Sequence, residues 1–315
     1  MISIGVDLMG GDFAPQEVLN CLEFFDAEKF KNIKIVGFGN QEQLKPLLDK
    51  KNISINFDVV HCNDVVGFHD QPTKALKEKP NSSIFTGFQW LKDGKIDAFA
   101  SAGNTGAMLI GVKFFIEPIH NVLRPPLISL VPKLNGDFGI IVDAGLNTDC
   151  KPEFLNQFAT IGSIFVEKIL YKNNPEVRLL NIGEEEGKGN ALAQATYKLL
   201  AENKNINFKG NMEGRDIFTD QSYVMICDGF IGNILLKLAE SLYTIAQVRS
   251  LDKDSFLSKF NYENYGGMPI LGIAKPVLIG HGISNSTAFV NMIKLAIKMV
   301  DTNICNVIAQ NLNNE

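Results

Sequence analysis

The chain has 315 residues, of which 45% are hydrophobic and 21% charged, so it is long enough for one large or two medium-sized globular domains. Its formal net charge of −5 argues against a general nucleic-acid-binding protein. The five cysteines are scattered without a CxxC pair, which argues against a disulfide framework or a zinc site and favours a reducing, cytoplasmic location. A strand-like run opens the sequence where a signal peptide would stand, and no apolar run approaches the roughly 20 residues of a membrane-spanning helix. Any membrane contact is therefore expected to be peripheral.

Strand-like apolar runs alternate with helical periodicity along the whole chain. Strands are predicted near residues 2–7, 33–37, 53–60, 96–101, 127–132, 138–143, 177–182 and 223–227, with two short strands and a turn within 269–280. Helices are predicted over residues 15–26, 40–50, 82–93, 105–117, 152–171, 189–202, 230–248 and 285–311. This alternation predicts an α/β fold, a Rossmann-like three-layer α/β/α sandwich with a mostly parallel sheet. We expect one domain over residues 1–315, in which the short strands of 269–280 form an antiparallel addition.

Six loops rich in Gly, Asn and Asp follow the predicted strands. They cover residues 7–12, 101–106, 143–152, 181–190, 228–233 and 280–285. In α/β proteins such loops gather at the carboxyl edge of the sheet, where ligands bind. Glycine permits close backbone approach, and the N–H groups at helix starts attract anions. The pattern predicts an enzyme with a phosphate-binding cleft.

The first two loops offer candidate substrate contacts. In the first, Asp7, Gly10 and Gly11 could orient a substrate, although a plain strand-to-helix turn would use the same residues. In the second, Asn104 or Thr105 is expected to cap a helix whose first N–H groups could hold a phosphate. Capping alone explains the Asn and Thr but not the flanking glycines.

The loop of residues 143–152 precedes a helix that is expected to begin near Pro152. A helix start can lower the pKa of a thiol, so Cys150 is conceivable as a nucleophile. The four histidines show no distinctive spacing that would supply its base, which argues against a catalytic cysteine. A ligand contact through Asn147 is the preferred prediction.

The loop of residues 181–190 superficially resembles a phosphate-binding Walker A motif. It is one residue short, and Gly189 stands where the magnesium-binding Ser or Thr belongs. Residues 37–39 (GFG) likewise lack the third glycine of a dinucleotide fingerprint. No ATP, NAD or other cofactor is therefore expected, and no metal-ligand pattern is present. Lys188, between two glycines, remains a candidate anion ligand, the alternative being a solvated charge run.

The last loop places His281 between two glycines at a strand end. It could act as a general acid or base or as a neutral donor, the alternative being a plain turn histidine. Asn285 closes this loop and Asn233 closes the loop of 228–233, and both are candidate substrate contacts.

Residues 230–262 carry an apolar stripe at helical spacing, followed by a second amphipathic piece with Phe256, Leu257 and Phe260. We expect a helical hairpin. It could pack on its own domain, form a dimer interface, or expose a membrane-touching tip near 248–262.

Taken in order, these motifs resemble the PlsX family of phosphate acyltransferases, essentially from end to end. Residues 6–15 (VDLMGGDFAP) are similar to that family's opening, and each further segment has a counterpart. Those segments are residues 71–83, 101–106, 149–152, 180–186, 210–216, 227–233 and 281–285. Each piece alone is weak, but the combination is specific.

The resemblance implies that an acyl group passes from acyl-[acyl carrier protein] to orthophosphate. It also implies a homodimer with a fold related to phosphotransacetylases, loose membrane association, and delivery of acyl phosphate to a membrane glycerol-3-phosphate acyltransferase. Phosphate attack on a thioester needs an anion pocket, oxyanion donors and a proton for the leaving thiolate. We assign the first two tasks to Asn104, Thr105, Asn147 and Lys188, and the proton or a phosphate contact to His281. A phosphotransacetylase-like enzyme using acyl-CoA and a non-catalytic scaffold for acyl carrier protein are the alternatives.

Overall fold

The computed structural model describes residues 1–313 and confirms the α/β class. In chain order its elements are β1 (Ile2–Asp7), α1 (Gln16–Leu22), β2 (Ile33–Gly39), α2 (Gln41–Leu48), β3 (Asn56–His61), α3 (Pro72–Glu78), α4 (Ser83–Lys92), β4 (Ala98–Ser101), α5 (Thr105–Phe115), β5 (Ile128–Pro132), β6 (Phe138–Val142), α6 (Pro152–Ile169), β7 (Glu176–Asn181), α7 (Ala191–Glu202), β8 (Asn207–Glu213), β9 (Val224–Ile226), α8 (Gly229–Val248), β10 (Met268–Ile270), β11 (Val277–Ile279), α9 (Ser286–Asp301) and α10 (Ile304–Leu312).

The chain divides into two compact units. Unit 1 comprises Met1–Glu117, Tyr262–Pro269 and Ile273–Asn303, and unit 2 comprises Pro118–Asn261, Ile270–Gly272 and the chain from Ile304 onwards. The expectation of a single domain over 1–315 stays a prediction.

Two sheets replace the one sheet expected from the sequence. The first has the strand order β10-β11-β4-β1-β2-β3, and β1 pairs in parallel with both β2 and β4. The second has the order β5-β6-β9-β7-β8, in which only the β5–β6 pair is antiparallel. The strand β11 runs parallel to β4, so the predicted antiparallel addition is wrong for this strand.

In unit 2, helices cover both faces of the sheet. Gly162 of α6 lies against Val142 and Val224, where an added Cβ would come within 3.2 Å of Val142 and 2.9 Å of Val224. Leu235 of α8 packs instead on the core cluster that contains Ile141 and Met225. Because successive strand residues point to opposite faces, α6 and α8 lie on opposite sides of this sheet. Unit 2 is thus a three-layer arrangement.

Side-chain caps fix where many helices begin. Asn40, Ser82, Asn104, Asn190, Asp228 and Asn285 each accept a backbone N–H of the helix that they precede. Such caps satisfy donors that have no partner within the helix. Pro152 begins α6 as predicted, at the position where a missing N–H costs nothing.

Three elements differ from the sequence-based prediction. The strand β8 was not predicted because Lys209, Gly210 and Asn211 have low strand propensity, and it forms an edge of its sheet. The helix α3 is only seven residues long and was missed. The helix predicted over 285–311 is divided into α9 and α10, and Asn303 between them has a φ of +50°.

The predicted helical hairpin has only one helical arm. After α8, the chain forms short 3-10 turns at Leu257–Phe260 and Tyr262–Asn264. Phe260 is buried, and its ring lies 5.0 Å from that of Phe218, while Phe256 lies 5.2 Å from Phe260. The second arm therefore folds back onto unit 2, and Phe260 cannot belong to an exposed tip. Within residues 1–313, no helix is long and apolar enough to cross a membrane.

Candidate functional site

In unit 1, Asp7 organises the loop at the end of β1. The Ser101 hydroxyl donates to Asp7 Oδ2 at 2.6 Å, the Gly103 N–H donates to the same hydroxyl at 2.9 Å, and the Met9 N–H donates to Asp7 Oδ1 at 3.0 Å. Burial raises the pKa of Asp7, and the hydrogen bond from Ser101 acts in the opposite direction. Asp7 thus joins the β1 and β4 loops and is itself inaccessible to solvent.

Gly10 and Gly11 allow these loops to pack closely. A Cβ on Gly10 would collide with the Asp7 carboxylate and would lie 2.7 Å from the Gly103 nitrogen. Gly11 has a φ of +115°, which glycine adopts at little cost. The next residue, Asp12, donates its N–H to the Gly282 carbonyl at 2.7 Å and so attaches the β1 loop to the β11 loop.

Asn104 is a buried cap, and every polar atom of its side chain is used within unit 1. Its Oδ1 accepts the Ala107 N–H at 2.9 Å, and its Nδ2 donates to the carbonyls of Gly67, Asp70 and Phe68 at 2.9, 3.2 and 3.3 Å. Thr105 follows as the exposed first residue of α5. Thr105 and Gly106 supply the first two N–H groups of α5, which have no acceptor within the helix and are therefore donors suited to an anion.

His281 and Asn285 occupy the loop between β11 and α9. His281 is half-buried, and its ring lies 5.3 Å from that of Tyr262, whose hydroxyl donates to the Ile283 carbonyl at 2.7 Å. No local pattern indicates this aromatic neighbour, because it is 19 residues away along the chain. Asn285 accepts the Ala288 N–H at 3.0 Å and is the cap of α9.

In unit 2, Asp143 holds the loop after β6. Its Oδ1 accepts the N–H groups of Leu127, Gly145 and Leu146 at 3.0 to 3.1 Å. Its Oδ2 accepts the Asn147 N–H at 2.6 Å and the Asn147 side-chain amide at 2.7 Å. Burial raises the pKa of Asp143, while the N–H donors of the loop oppose that rise.

Asn147 is committed to the same loop. Its side-chain amide also donates to the Pro125 carbonyl at 2.9 Å, and its own carbonyl accepts the Gly229 N–H at 2.7 Å. A Cβ on Gly229 would lie 2.8 Å from that carbonyl, so glycine is required for the approach. The Asn147 amide therefore positions the loop in this structure, and its predicted contact with the oxyanion stays a prediction.

Cys150 is unsuited to nucleophilic chemistry. Burial, together with smaller contributions from the nearby Asp143 and Asp228 carboxylates, raises the pKa of its thiol to about 12. Its Sγ donates to the Asn147 carbonyl at 3.3 Å. At neutral pH it is a neutral thiol, which supports the sequence-based preference for Asn147 over Cys150.

Among the site residues predicted in unit 2, Lys188 carries the charge, and it is exposed. Its side chain is 51% exposed, and its ammonium group lies 3.9 Å from the Glu185 carboxylate. Gly189, with a φ of +91°, turns the chain directly after it, and the Asn181 amide donates to the Lys188 carbonyl at 3.1 Å. The loop thus presents a loosely paired cation beside the start of α7.

Asn233 lies one turn into α8, exposed, where a Cβ added to Gly145 would come within 3.3 Å of it. Asp228 caps this helix by accepting the Ile231 N–H at 2.9 Å. The loops of 143–152 and 228–233 therefore adjoin in unit 2, as those of 7–12, 101–106 and 280–285 do in unit 1.

Unit 2 also contains a cavity of about 370 Å³ that the sequence did not reveal. Its apolar lining includes Leu155, Leu180, Leu192, Ala193, Ile231 and Leu235, and its polar lining includes Asn181, Asn190 and Asp228. These residues come from separate segments of the chain, so no local pattern could indicate the cavity. Residues 1–313 contain no group of three or more His, Cys, Asp or Glu side chains placed to hold a metal ion.

Comparison with known proteins places the whole chain in one family. Residues 2–307 match the family described as "Fatty acid synthesis protein". The chain is 39% identical to a phosphate acyltransferase of Dictyoglomus turgidum, over 99% of this chain and 98% of that protein. It is 40% identical to a phosphate acyltransferase of Aquifex aeolicus, over 99% and 97% of the two chains.

Solved structures show the same fold at low sequence identity. A phosphotransacetylase from Streptococcus pyogenes superposes with a TM-score of 0.66 at 16% identity, covering 95% of this chain and 94% of the other. The EutD phosphotransacetylase from Staphylococcus aureus gives 0.62 at 15% identity, with the same coverage. The predicted fold relationship to phosphotransacetylases is therefore confirmed. From its full-length match and its relatives, this chain belongs to the fatty acid synthesis protein family and is an acyltransferase of the phosphate acyltransferase type.

Proposed function

We propose that the chain transfers an acyl group from the thioester of acyl-[acyl carrier protein] to orthophosphate. A phosphate oxygen forms a bond to the carbonyl carbon, the C–S bond breaks, and the departing thiolate of the carrier takes up a proton. The products are acyl phosphate and free carrier protein. The acyl phosphate then supplies a membrane glycerol-3-phosphate acyltransferase in phospholipid synthesis.

One observation carries this proposal. The chain is 39% and 40% identical, over 99% of its length, to two relatives that are both named phosphate acyltransferase. The chemistry of the loops supports it. Because Cys150 is a neutral thiol, the mechanism that it favours is direct attack by phosphate on the thioester, without a covalent enzyme intermediate.

The proposed roles follow from accessibility. The exposed ammonium of Lys188 and the N–H groups at the start of α5 are donors suited to a phosphate. His281 supplies the proton for the leaving thiolate or contacts the phosphate. Asn147 positions the loop that Asp143 holds, and its proposed contribution to oxyanion binding acts through that loop.

The test is phosphate-dependent release of carrier thiol from long-chain acyl-[acyl carrier protein], compared with the matching acyl-CoA. Thiol release is followed with a thiol reagent, and acyl phosphate is trapped with hydroxylamine. We expect both products in equal amounts and a preference for the carrier-protein donor. Equal or better use of acyl-CoA would favour the phosphotransacetylase-like alternative, and thiol release without phosphate would contradict the proposal.

Two variants test the assigned roles in the same assay. Lys188→Ala should raise the KM for phosphate roughly 10- to 100-fold by removing a charge-assisted bond, whereas the exposed Lys198→Ala should not. His281→Ala should lower kcat by about 10²–10⁴, whereas the exposed His120→Ala should leave it unchanged. A loss below tenfold for His281→Ala would contradict its role in proton transfer.

We further propose that the apolar stripe of α8 packs against a second copy of the chain. Four residues, Phe230, Ile234, Leu238 and Ile245, are 52–60% exposed at spacings of four or seven residues, an arrangement typical of a helix that meets a partner. Changing both Ile234 and Leu238 to Glu should convert a dimer to a monomer in analytical ultracentrifugation. A wild-type chain that is already monomeric would contradict this proposal.

The proposed peripheral membrane contact rests on Val248 and Leu251, which are 80% and 52% exposed where α8 ends. Apolar side chains at such a position can enter the interfacial region of a bilayer. Changing both to Glu should abolish co-sedimentation with anionic liposomes and leave the soluble acyl-transfer rate intact. The pair Gln247→Glu with Ser255→Glu adds the same charge at exposed neighbouring positions and should retain liposome binding.

A further inference from the structure

The apolar cavity of unit 2 lies where the loops of this unit meet. It is formed by residues from the end of β7 and from the first turns of α6, α7 and α8. Leu155 and Leu180, which are 2% and 7% exposed, belong to its inner wall, whereas Ile231 is 39% exposed and stands at its opening. The cavity therefore runs from a partly open mouth to the core of the unit.

The polar side chains that line the cavity are already bonded. Asn190 accepts the Ala193 N–H at 2.9 Å, and Asp228 accepts the Ile231 N–H at 2.9 Å. Asn181 bonds to the Ile182 N–H and to the Lys188 carbonyl. They act as caps and turn-forming groups, and most of the remaining lining consists of leucine, isoleucine and alanine side chains. Such a lining favours hydrocarbon over phosphate or water.

The size of the cavity suits an alkyl chain of substantial length. An apolar cavity of about 150 Å³ accommodates a benzene ring. The 370 Å³ found here therefore corresponds to roughly 12–15 carbon atoms of hydrocarbon. It also falls within the range of about 300–1,000 Å³ that is usual for ligand pockets.

We infer that this cavity holds the acyl chain of the substrate, with its carbonyl end at the mouth beside Asn190 and Asp228 and its alkyl end against Leu155 and Leu180. This assignment rests on the proposed function, because it gives that reaction its acyl-chain site. The carbonyl end would then lie beside the loop of Lys188, because Gly189 and Asn190 of that loop line the cavity. Ala193, a small residue of the wall, determines how much of the cavity is available to the chain.

A second copy of the chain is the competing occupant of the cavity. Ile231 at the mouth lies on α8, the helix that carries the exposed apolar stripe. Two features favour the alkyl chain. The cavity continues inward to Leu155 and Leu180, which the outer face of a partner helix would not reach. Its mouth also lies at the carboxyl ends of β7 and β9, the edge at which α/β proteins bind ligands.

Direct binding of n-alkyl phosphates with 4, 6, 8, 10 and 12 carbons tests the inference without requiring catalysis. Their phosphate head resembles that of an acyl phosphate, and titration calorimetry of the full chain measures each Kd. Burial of each methylene should tighten binding by up to about fourfold. We expect Kd to fall steadily along the whole series. A Kd that does not depend on chain length would overturn the inference.

Ala193→Phe should shorten the accepted chain, because the added ring occupies part of the cavity. The four-carbon ligand should bind within twofold of wild type, whereas the gain per methylene should end several carbons earlier. Ala195→Phe is the matched control, since Ala195 is exposed on the same helix and does not line the cavity. Equal behaviour of the two variants would overturn the assignment.

A second pair keeps the test valid if Ala193→Phe does not fold. Ile231→Asn places a polar group in the wall and should weaken binding of the ten-carbon ligand at least tenfold, whereas Thr244→Asn, at an exposed position of the same helix outside the cavity, should not. If Ile231→Asn instead yields a monomer with unchanged ligand binding, the face belongs to the dimer contact and the inference is wrong. Because binding is measured directly, a chain that binds these ligands but fails the thiol-release assay would refute the proposed function and leave the cavity assignment standing.

Discussion

Each of the two units holds a loop with a buried aspartate, but the number of hydrogen bonds that the aspartate accepts differs between the units. Each places a buried aspartate at the carboxyl end of a strand, Asp7 as the last residue of β1 and Asp143 directly after β6, and each uses it to hold a glycine-containing loop. Asp143 accepts five hydrogen bonds from its surroundings, four of them from backbone N–H groups. Asp7 relies on the Ser101 hydroxyl for its shortest bond. The loop of unit 2 thus depends on one carboxylate, whereas unit 1 divides the task among Asp7, Ser101 and Asn104.

Unit 2 also buries a second charge. Lys133 is fully buried and donates to the Ile217 carbonyl at 2.7 Å, while Asp7 is the only fully buried charged side chain of unit 1 within residues 1–313. The same unit contains the apolar cavity. A unit that encloses more of its ionisable groups and a hydrocarbon-lined space should respond more strongly to substitution and to pH.

The largest effect is expected from the two aspartates. Asp143→Asn should lower the free energy of unfolding by about 4 kcal/mol, because the new amide hydrogens face the Asn147 donors and leave them unpaired. Asp7→Asn should cost only about 2 kcal/mol, because the Ser101 hydroxyl can rotate to a new partner. Urea unfolding monitored by circular dichroism gives both values.

The exposed residues Asp149 and Asp12 lie in the same two loops and supply matched controls. Their changes to Asn should alter stability by less than about 0.5 kcal/mol. Equal losses for Asp143→Asn and Asp7→Asn would break the comparison, since they would show that the number of donors does not decide how far a loop depends on its aspartate.

The next effect is the pH dependence that Lys133 imposes. Burial lowers the pKa of Lys133 from 10.5 to about 8, and the Asp220 carboxylate acts in the opposite direction. Between these two values the unfolded chain binds the proton and the folded chain does not, so the contribution of Lys133 to stability increases from about pH 8 to pH 10.5 and is lost as the pH falls back through about 8. Over this window the stability of the wild type relative to Lys133→Met should rise by about 3 kcal/mol.

Urea unfolding at pH 7, 8.5 and 10 measures this rise. Lys168→Met removes an exposed lysine of the same unit and should show no comparable difference from wild type. A difference between the wild type and Lys133→Met that does not change with pH would show that the buried ammonium does not cause the rise in stability. Unit 2 would then differ from unit 1 only in its aspartate.

The smallest effect concerns the helix caps, which the two units share. Asn285 caps α9 in unit 1 and Asn190 caps α7 in unit 2, each through one bond to the third N–H of its helix. Changing either to Ala should cost about 1 kcal/mol, and changing either to Gly only a few tenths. A loss for Asn190→Ala that exceeds the loss for Asn285→Ala by more than about 1 kcal/mol would show that the cap also supports the mouth of the cavity. Urea unfolding of the four variants measures these losses.

Much of the local structure could be predicted because it depends on local chemistry. Asn104 and Asn285 were recognisable as helix starts, and Pro152 begins α6, since caps and an initial proline act within one turn of the chain. The α/β class followed from alternating periodicities. The strand β8 was missed because its stability comes from pairing with β7 rather than from the propensities of Lys209 and Gly210.

In the candidate site, too, local features could be predicted from the sequence and long-range contacts could not. The sequence identified the loops that carry Asp7, Asn147, Lys188 and His281, because glycines and asparagines at strand ends mark ligand-binding edges. It could not show that the Asn147 amide is bonded to Asp143 and Pro125, because those partners are 4 and 22 residues away and are brought close only by the fold. The accessible donors therefore had to be read from the structure.

By itself, the sequence determined the class of fold, the positions of the loops, the helix caps and the family of this chain. Those properties are encoded within single segments or in the order of motifs. Only the tertiary structure decided that the strands form two sheets, that Phe260 packs against Phe218 and not in an exposed tip, and that Leu155, Ala193 and Ile231 enclose one cavity. These outcomes depend on which distant apolar surfaces exclude water together, and burial of that kind is not recorded in any local stretch of sequence.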